Sequence, residues 1–140
     1  MAVQSLGGTE RSSRVEKLIL IVDDDPNVRL LLAEILDEAG EDFLTAAGGE
    51  EALLLLEDTE PDLLLLDVTM PGTDGWHVIR EVRSKPKMRD LPIIVLSDNV
   101  GIQNVTSYGA QANVCKPIDV LALLDTLGEV LCVGIVSADH

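Results

Sequence analysis

Acidic residues, a hydroxyl and a lysine follow apolar stretches at four places in this sequence. The acidic run Asp23–Asp25 comes after one stretch and Asp67 after another, while Ser97 and Lys116 follow two more. Clustered carboxylates raise each other's pKa by repulsion, and a hard divalent cation removes that conflict. If these residues meet in the fold, they could bind Mg²⁺ and let a carboxylate accept a phosphoryl group.

Each residue type suits one task in such a transfer. Mg²⁺ prefers one or two carboxylates, with water and phosphate oxygens completing its octahedron. The metal, Lys116 and Ser97 could each neutralise one phosphoryl oxygen, and Asp67 would be the nucleophile. Taken singly, these residues have simpler explanations, because a lone Asp or Ser after a strand is usually a helix cap. Asp25, which Pro26 follows, fits that capping role.

Alternating strand and helix patterns must position these residues. The predicted strands span residues 18–22, 43–46, 63–67, 93–96 and 113–115, and the predicted helices span residues 26–39, 50–58, 76–83 and 118–131. Parallel strands need crossover connections, so this alternation predicts an α/β fold with one parallel sheet covered by helices on both faces. Ligands of such sheets bind beyond the carboxyl ends of the strands, where the candidate residues stand.

The bulk composition narrows the function classes. The 140 residues fit one domain, with a polar tail at 1–14, a folded domain at 15–133 and a C-terminal tail at 134–140. Acidic residues number 25 against 10 basic ones, and the net charge of −15 disfavours direct binding of nucleic acid or anionic lipid. We find neither an apolar run of membrane-spanning length nor a signal pattern, so a cytoplasmic location is the default expectation. Cys115 and Cys132 have no motif spacing and are predicted to be small buried hydrophobes.

Four longer pieces of sequence occur in order at workable spacing: LILIVDDDPNVRLLLAEILDEAG, PDLLLLDVTMPGTDG, LPIIVLSDN and GAQANVCKPI. Together they resemble the response-regulator receiver domain of the CheY-like family over roughly residues 15–131. The resemblance implies a doubly wound, flavodoxin-like sheet with strand order 2-1-3-4-5. It also implies a two-component phosphorelay, in which a sensor histidine kinase or a phosphotransfer protein donates the phosphoryl group.

The same resemblance assigns a metal site. Asp67 matches the phosphoacceptor, Asp24 matches the acid that binds Mg²⁺ directly, and Asp23 matches the neighbour that holds metal-bound water. The backbone carbonyl of Thr69 matches a further protein ligand. Asp67 itself is expected to be a metal ligand as well as the acceptor.

Two more positions match residues that contact the phosphoryl group. Ser97 matches the hydroxyl that meets a phosphoryl oxygen, and Lys116 matches the lysine that pairs with the phosphate. The Lys116–Pro117 peptide bond resembles one that is cis in the family, which an X-Pro bond permits.

Three departures from the family pattern lie near the output side. Asp98 stands where a small residue is usual, and Asn113 stands where an aromatic residue commonly works as a rotamer switch. The stretch 97–109 is about one helical turn short, so its helix should be short, frayed or replaced by a loop. We expect phosphate chemistry to be retained while the readout differs from the common scheme.

Two rival functions and one partner surface complete the expectations. A haloacid-dehalogenase-type enzyme would need a second Asp at position 69, which is Thr69 here. A degenerate receiver that acts only as an interaction module stays open because of Asp98 and Asn113. The closing helix is apolar on more than one face, which predicts a homodimer or an effector partner on the Asn113–Leu131 face.

Overall fold

A computed structural model describes residues 17–69, 75–98 and 105–139, apart from the side chains of residues 105, 107 and 132–139. Within these ranges the strands are β1 (Leu18–Val22), β2 (Asp42–Ala46), β3 (Leu63–Asp67), β4 (Ile93–Ser97) and β5 (Ala112–Cys115). The α-helices are α1 (Pro26–Glu38), α2 (Gly49–Asp58), α3 (Gly75–Ser84) and α4 (Val120–Asp139), and two 3-10 helices cover Pro86–Met88 and Val105–Tyr108.

The strands form one parallel sheet in the order β2-β1-β3-β4-β5. Leu20 of β1 pairs with Leu44 on one side and with Leu64 on the other, which places β1 inside the sheet. Strands buried on both faces read as continuous apolar runs, and this explains why β1, β3 and β4 lack alternation. The predicted fold class and strand order are confirmed.

Successive side chains of each strand enter different cores, because a strand alternates its faces. Leu20 and Val22 pack with residues of α2 and α3, whereas Ile19 and Ile21 pack with residues of α1 and α4. All four side chains are fully buried. Each such burial contributes about 1.5 to 3 kcal/mol, so the apolar strands hold both helical layers against the sheet.

Helix α1 begins where the capping prediction places it. The Asp25 side chain accepts a hydrogen bond from the Asn27 backbone N–H at 2.9 Å, and Pro26 is the first helical residue. After the helix, Gly40 has φ 86°, a conformation that glycine adopts without strain. The cap therefore directs the chain away from the sheet edge immediately after Asp23 and Asp24.

Helix α4 differs from its prediction at both ends. It starts at Val120 rather than Ile118, because Asp119 Oδ1 accepts hydrogen bonds from the backbone N–H groups of Leu121 and Ala122 at 3.0 and 3.3 Å. It continues past Leu131 to Asp139, through the segment that we predicted as a tail. Residues 132–139 contain no proline and a single glycine, whose cost of about 1 kcal/mol does not stop a helix. None of the helices described here is both long and apolar enough to cross a membrane.

The connection between β4 and β5 is described only in part. Its described part holds the 3-10 helix Val105–Tyr108 and then Gly109, which has φ 99°. Residues 99–104 lie outside the described ranges. The prediction of a short, frayed or missing helix in the stretch 97–109 therefore stays a prediction, because only its second part is described, where a single 3-10 helix is present.

Candidate functional site

Three strand ends bring polar residues into the interior at one edge of the sheet. Asp23 follows β1, Asp67 ends β3 and Ser97 ends β4, and their side chains are 0%, 1% and 0% exposed. The sheet register aligns them, because Val22 pairs with Leu66 and Asp67 pairs with Leu96. Burying a polar group without a partner costs free energy. Packing of the core does not require polar side chains at this edge, so they indicate a site.

Three carboxylates meet at this edge. Asp23, Asp24 and Asp67 each offer an oxygen atom, and these atoms all lie within 4.8 Å of one another. Asp23 and Asp67 are buried, whereas Asp24 is exposed. An ion could therefore reach the cluster from solvent on the Asp24 side.

Lys116 supplies a positive charge to the two buried acids. Its Nζ lies 2.8 Å from Asp23 Oδ2 and 3.4 Å from Asp67 Oδ2. The Lys116 backbone N–H donates to the Ser97 carbonyl at 2.7 Å, so β4 and the end of β5 hold the lysine in place. The Lys116–Pro117 peptide bond is cis, as the family resemblance implies.

Burial and charge act in opposite directions on these groups. Burial raises the pKa of Asp23 above its ordinary value, although the contacts with Lys116 and the Asp25 N–H oppose that rise. Burial lowers the pKa of Lys116, but Asp23 and Asp67 outweigh it, so the net pKa is raised. Lys116 is therefore a stable cation, and it offsets only one of the three carboxylates.

The donor set fits a hard divalent cation. Its potential ligands are oxygen atoms only, which is the preference of Mg²⁺. Asp23 Oδ2 is buried and accepts no well-directed hydrogen bond from a described residue, although the Lys116 amine is close enough for an ion pair. This oxygen keeps acceptor capacity that a cation could use.

The other oxygen of Asp67 is held by Thr69. The Thr69 backbone N–H and hydroxyl both donate to Asp67 Oδ1, at 2.9 and 2.8 Å. We predicted only a carbonyl role for Thr69, and that role stays a prediction. The hydroxyl contact was missed, because it depends on how the chain turns after β3.

The loop after β1 is also fixed by residues that the sequence did not single out. The Asp25 N–H donates to Asp23 Oδ1 at 2.9 Å, and Arg29 Nη1 donates to the Asp23 carbonyl at 2.7 Å. A cation in the first turn of a helix opposes the helix dipole. The position of Arg29 in the first turn of α1 was therefore the signal in the sequence that this side chain has another partner.

Gly75 brings helix α3 directly against the backbone of the central acid. A Cβ at this position would lie 2.6 Å from Val68 Cα and 2.7 Å from the Asp67 carbonyl oxygen. Side chains do not tolerate such distances, so only glycine allows this approach. Gly75 therefore supports the site without contributing a functional group to it.

The residues that depart from the family pattern do not belong to the carboxylate cluster. Asp98 is exposed. The Asn113 side chain is half-buried on β5, where its amide donates to Cys115 Sγ at 3.8 Å; Cys115 itself is half-buried and has a free thiol. Tyr108 instead packs on Trp76 of α3, with ring centroids 4.6 Å apart. Tyr108, the aromatic residue nearest in sequence to Asn113, thus contacts α3 instead.

Comparisons with known proteins agree with this geometry. The family described as the response regulator receiver domain matches residues 19–128. The transcriptional regulatory protein AfsQ1 of Streptomyces coelicolor is 38% identical over 103 residues, which cover 71% of this chain and 44% of AfsQ1. The chain thus spans less than half the length of that relative.

Solved structures show the same fold. Chemotaxis protein CheY4 of Vibrio cholerae superposes with a TM-score of 0.79 at 30% identity, over 84% of this chain and all of CheY4. The receiver domain of sensor histidine kinase PA1611 from Pseudomonas aeruginosa PAO1, solved with a magnesium ion in its active-site cleft, gives 0.77 at 26% identity over 84% of this chain and 98% of that one. This chain therefore belongs to the response regulator receiver domains of two-component signalling systems.

Proposed function

We propose that Asp67 accepts a phosphoryl group from a sensor histidine kinase or a phosphotransfer protein, with Mg²⁺ as the cofactor. The observation that carries this proposal is the surroundings of Asp67. Its carboxylate is 1% exposed, shares a 4.8 Å cluster with Asp23 and Asp24, and has the Lys116 amine 3.4 Å away. A cap or a turn residue would need neither the acids nor the lysine.

The transfer would break one bond and form one bond. An oxygen of Asp67 attacks phosphorus, and the phosphorus–nitrogen bond of the donor's phosphohistidine breaks. The donor nitrogen keeps the electron pair and takes up a proton, and the product is an acyl phosphate on Asp67. Lys116 balances charge on the phosphoryl oxygens, and the Ser97 hydroxyl donates a hydrogen bond to one of them.

The metal ligands in this proposal are Asp23, Asp24, Asp67 and the backbone carbonyl of Thr69. When bound, Mg²⁺ would neutralise negative charge on the acids and on the phosphoryl oxygens. The PA1611 receiver domain, with its coordinated magnesium, supports the choice of metal.

Intact-mass measurement after incubation with acetyl phosphate and Mg²⁺ tests the proposal. We expect a mass gain of one phosphoryl group, no gain in Asp67→Asn, and no gain in EDTA. Asp25→Asn is the matched control, because Asn caps a helix as well as Asp does and should leave phosphorylation unchanged. A gain that persists in Asp67→Asn would reject Asp67 as the acceptor.

The alternative function is that of a degenerate receiver used as a phosphorylation-independent interaction module. Asn113 in place of an aromatic residue favours it, and so does the 3-10 helix in the described part of the β4–β5 connection. The absence of any mass gain in the wild-type protein would support this alternative. In the primary proposal the chain is a signalling phosphoacceptor rather than a turnover enzyme, although it assists its own phosphorylation and hydrolysis.

We also propose that the Asn113–Leu131 face binds a second copy or an effector in the cytoplasm, without contacting nucleic acid or membrane directly. Val120 and Leu121 on this face are 42% and 72% exposed, so α4 presents apolar side chains beyond those that cover the sheet. Sedimentation of the wild-type protein and Leu121→Ser, with and without beryllofluoride, tests the homodimer. A monomer at all concentrations would leave the effector as the remaining occupant.

A further inference from the structure

Arg29 is bound to the backbone of the acidic loop rather than to its carboxylates. Its Nη1 donates to the Asp23 carbonyl at 2.7 Å, and its side chain is half-buried. From the other side, Asp23 Oδ1 accepts the Asp25 N–H at 2.9 Å. Arg29 thus holds the carbonyl of the peptide between Asp23 and Asp24. The peptides on either side are held by the Asp25 N–H and by the Asp23 N–H, which donates to the Ala46 carbonyl at 3.2 Å.

Asp24 depends on this backbone for its position. Its side chain is exposed, and over the described ranges it has no hydrogen-bond or ion-pair partner of its own. Asp23 and Asp67, by contrast, are oriented by Lys116 and, for Asp67, by Thr69. A carboxylate without partners takes its direction from its own backbone, so whatever fixes the Asp23–Asp24 peptide also fixes where the Asp24 oxygens can lie.

We propose that Arg29 is a positioning residue that holds the Asp23–Asp24 peptide so that the Asp24 carboxylate faces the metal position. The inference rests on the proposed Mg²⁺-dependent function. Groups that orient metal ligands from behind contribute strongly to metal affinity, because an ion binds ligands that are already aligned with little further ordering. Arg suits this task because its guanidinium presents several donors in a fixed plane.

The sign of the effect separates positioning from electrostatics. Arg29 is a cation near a cation site, so a purely electrostatic role means that its removal tightens Mg²⁺ binding. A purely structural role means that its removal lowers stability and leaves the affinity of the folded protein unchanged. Only a positioning role weakens Mg²⁺ binding when the positive charge is lost.

Calorimetric titration of the full chain with MgCl₂ measures this sign directly. We expect Arg29→Met to weaken Mg²⁺ binding about tenfold, within the range typical of residues behind metal ligands. Arg29→Lys should bind with intermediate affinity, because lysine can donate one hydrogen bond over a shorter reach. Thermal unfolding in EDTA, followed by circular dichroism, measures the structural contribution separately.

Arg83→Met is the matched control. Arg83 also donates to backbone carbonyls, with Nη2 2.6 Å from the Gly109 oxygen and Nη1 3.0 Å from the Arg89 oxygen, but on α3 and away from the acids. We expect this variant to lose thermal stability and keep wild-type Mg²⁺ affinity. Arg83→Met measures how the loss of an arginine with a structural role affects the apparent Mg²⁺ affinity in the titration.

Each result decides the inference. Weaker binding in Arg29→Met with unchanged binding in Arg83→Met supports it, and equal or tighter binding in Arg29→Met overturns it while leaving the proposed function intact. If the wild-type protein binds no Mg²⁺, both the inference and the proposed function fail. If Arg29→Met does not fold, Arg29→Gln replaces it, because the glutamine side chain is too short for its amide to reach the Asp23 carbonyl. The same two outcomes then apply to Arg29→Gln.

Discussion

The two halves of the functional edge follow the family pattern to different degrees. At β1 and β3, the acids Asp23, Asp24 and Asp67 converge within 4.8 Å, and Lys116 contacts two of them. At β4 and β5, Asp98 is exposed, Asn113 replaces an aromatic residue, and the described connection holds one 3-10 helix. The residues proposed to bind metal and phosphate, which include Ser97 at the end of β4 and Lys116 after β5, thus follow the family pattern, whereas Asp98 and Asn113 depart from it. We therefore expect acceptor chemistry and readout to depend on different contacts, so that one can change without the other.

Lys116→Met should disturb the carboxylate half most. It leaves Asp23 and Asp67 buried without their cation, which we expect to cost about 3 kcal/mol of unfolding free energy in EDTA, at the low end for a buried pair because the lysine is partly exposed. Urea denaturation measures this loss. Mg²⁺ should raise the stability of this variant more than that of the wild-type protein, because a competing cation is gone. Equal stabilisation by Mg²⁺ in the two proteins would show that Lys116 does not compete with the ion for these carboxylates.

Gly75→Ala tests whether α3 must approach the acceptor strand so closely. The added Cβ would lie 2.6 Å from Val68 Cα, and we expect a loss of about 2 kcal/mol together with slower phosphorylation of Asp67. Gly128→Ala is the control, since nothing lies within 4 Å of its Cβ and helix α4 should gain stability of up to about 1 kcal/mol. Urea denaturation gives the free energies, and intact mass over time gives the rate. An unchanged rate in Gly75→Ala would separate α3 from the chemistry.

Asn113→Val should change the altered half without affecting the carboxylates. Asn113 Oδ1 is buried and accepts no hydrogen bond from a described residue, so an apolar β-branched side chain should raise stability by about 1 kcal/mol. The extent of phosphorylation by acetyl phosphate should stay at the wild-type level. A fall in phosphorylation would contradict the independence of the two halves.

Tyr108→Leu should have the smallest effect. Its ring is 58% exposed and contacts Trp76 at 4.6 Å between centroids, so we expect a loss of about 0.5 kcal/mol. Thr106→Ala, an exposed position in the same 3-10 helix, should cost less. Circular dichroism during urea titration measures both variants. A loss above that of Gly75→Ala would mean that the β4–β5 connection contributes more to the fold than its short helix indicates.

The sequence predicted the parts of this protein that depend on pattern. Runs such as Leu18–Val22 and Leu63–Leu66 are apolar throughout, and this marks a parallel strand buried on both faces. Once such strands are aligned, their last residues must meet at one edge, so Asp23, Asp67 and Ser97 could be grouped in advance. The cap at Asp25 was equally predictable, because its signal is local.

The remaining features depend on the path of the backbone. The contacts of Arg29 and of the Thr69 hydroxyl require particular turns after β1 and β3, and the tight approach of Gly75 requires the position of α3. The hydrophobic periodicity of a sequence does not predict such distances. The predicted end of α4 at Leu131 was wrong for a different reason. Residues 132–139 carry no stop signal, so the prediction there depended on helix propensity alone.

The ring contact between Trp76 and Tyr108 also has a spectroscopic consequence. These are the single tryptophan and the single tyrosine of the chain, and their centroids are 4.6 Å apart. Light absorbed by the tyrosine should therefore be emitted largely by the tryptophan, and a displacement that carries Tyr108 far from α3 would restore tyrosine emission. The protein thus carries an intrinsic optical reporter of the contact between α3 and the β4–β5 connection, without a label.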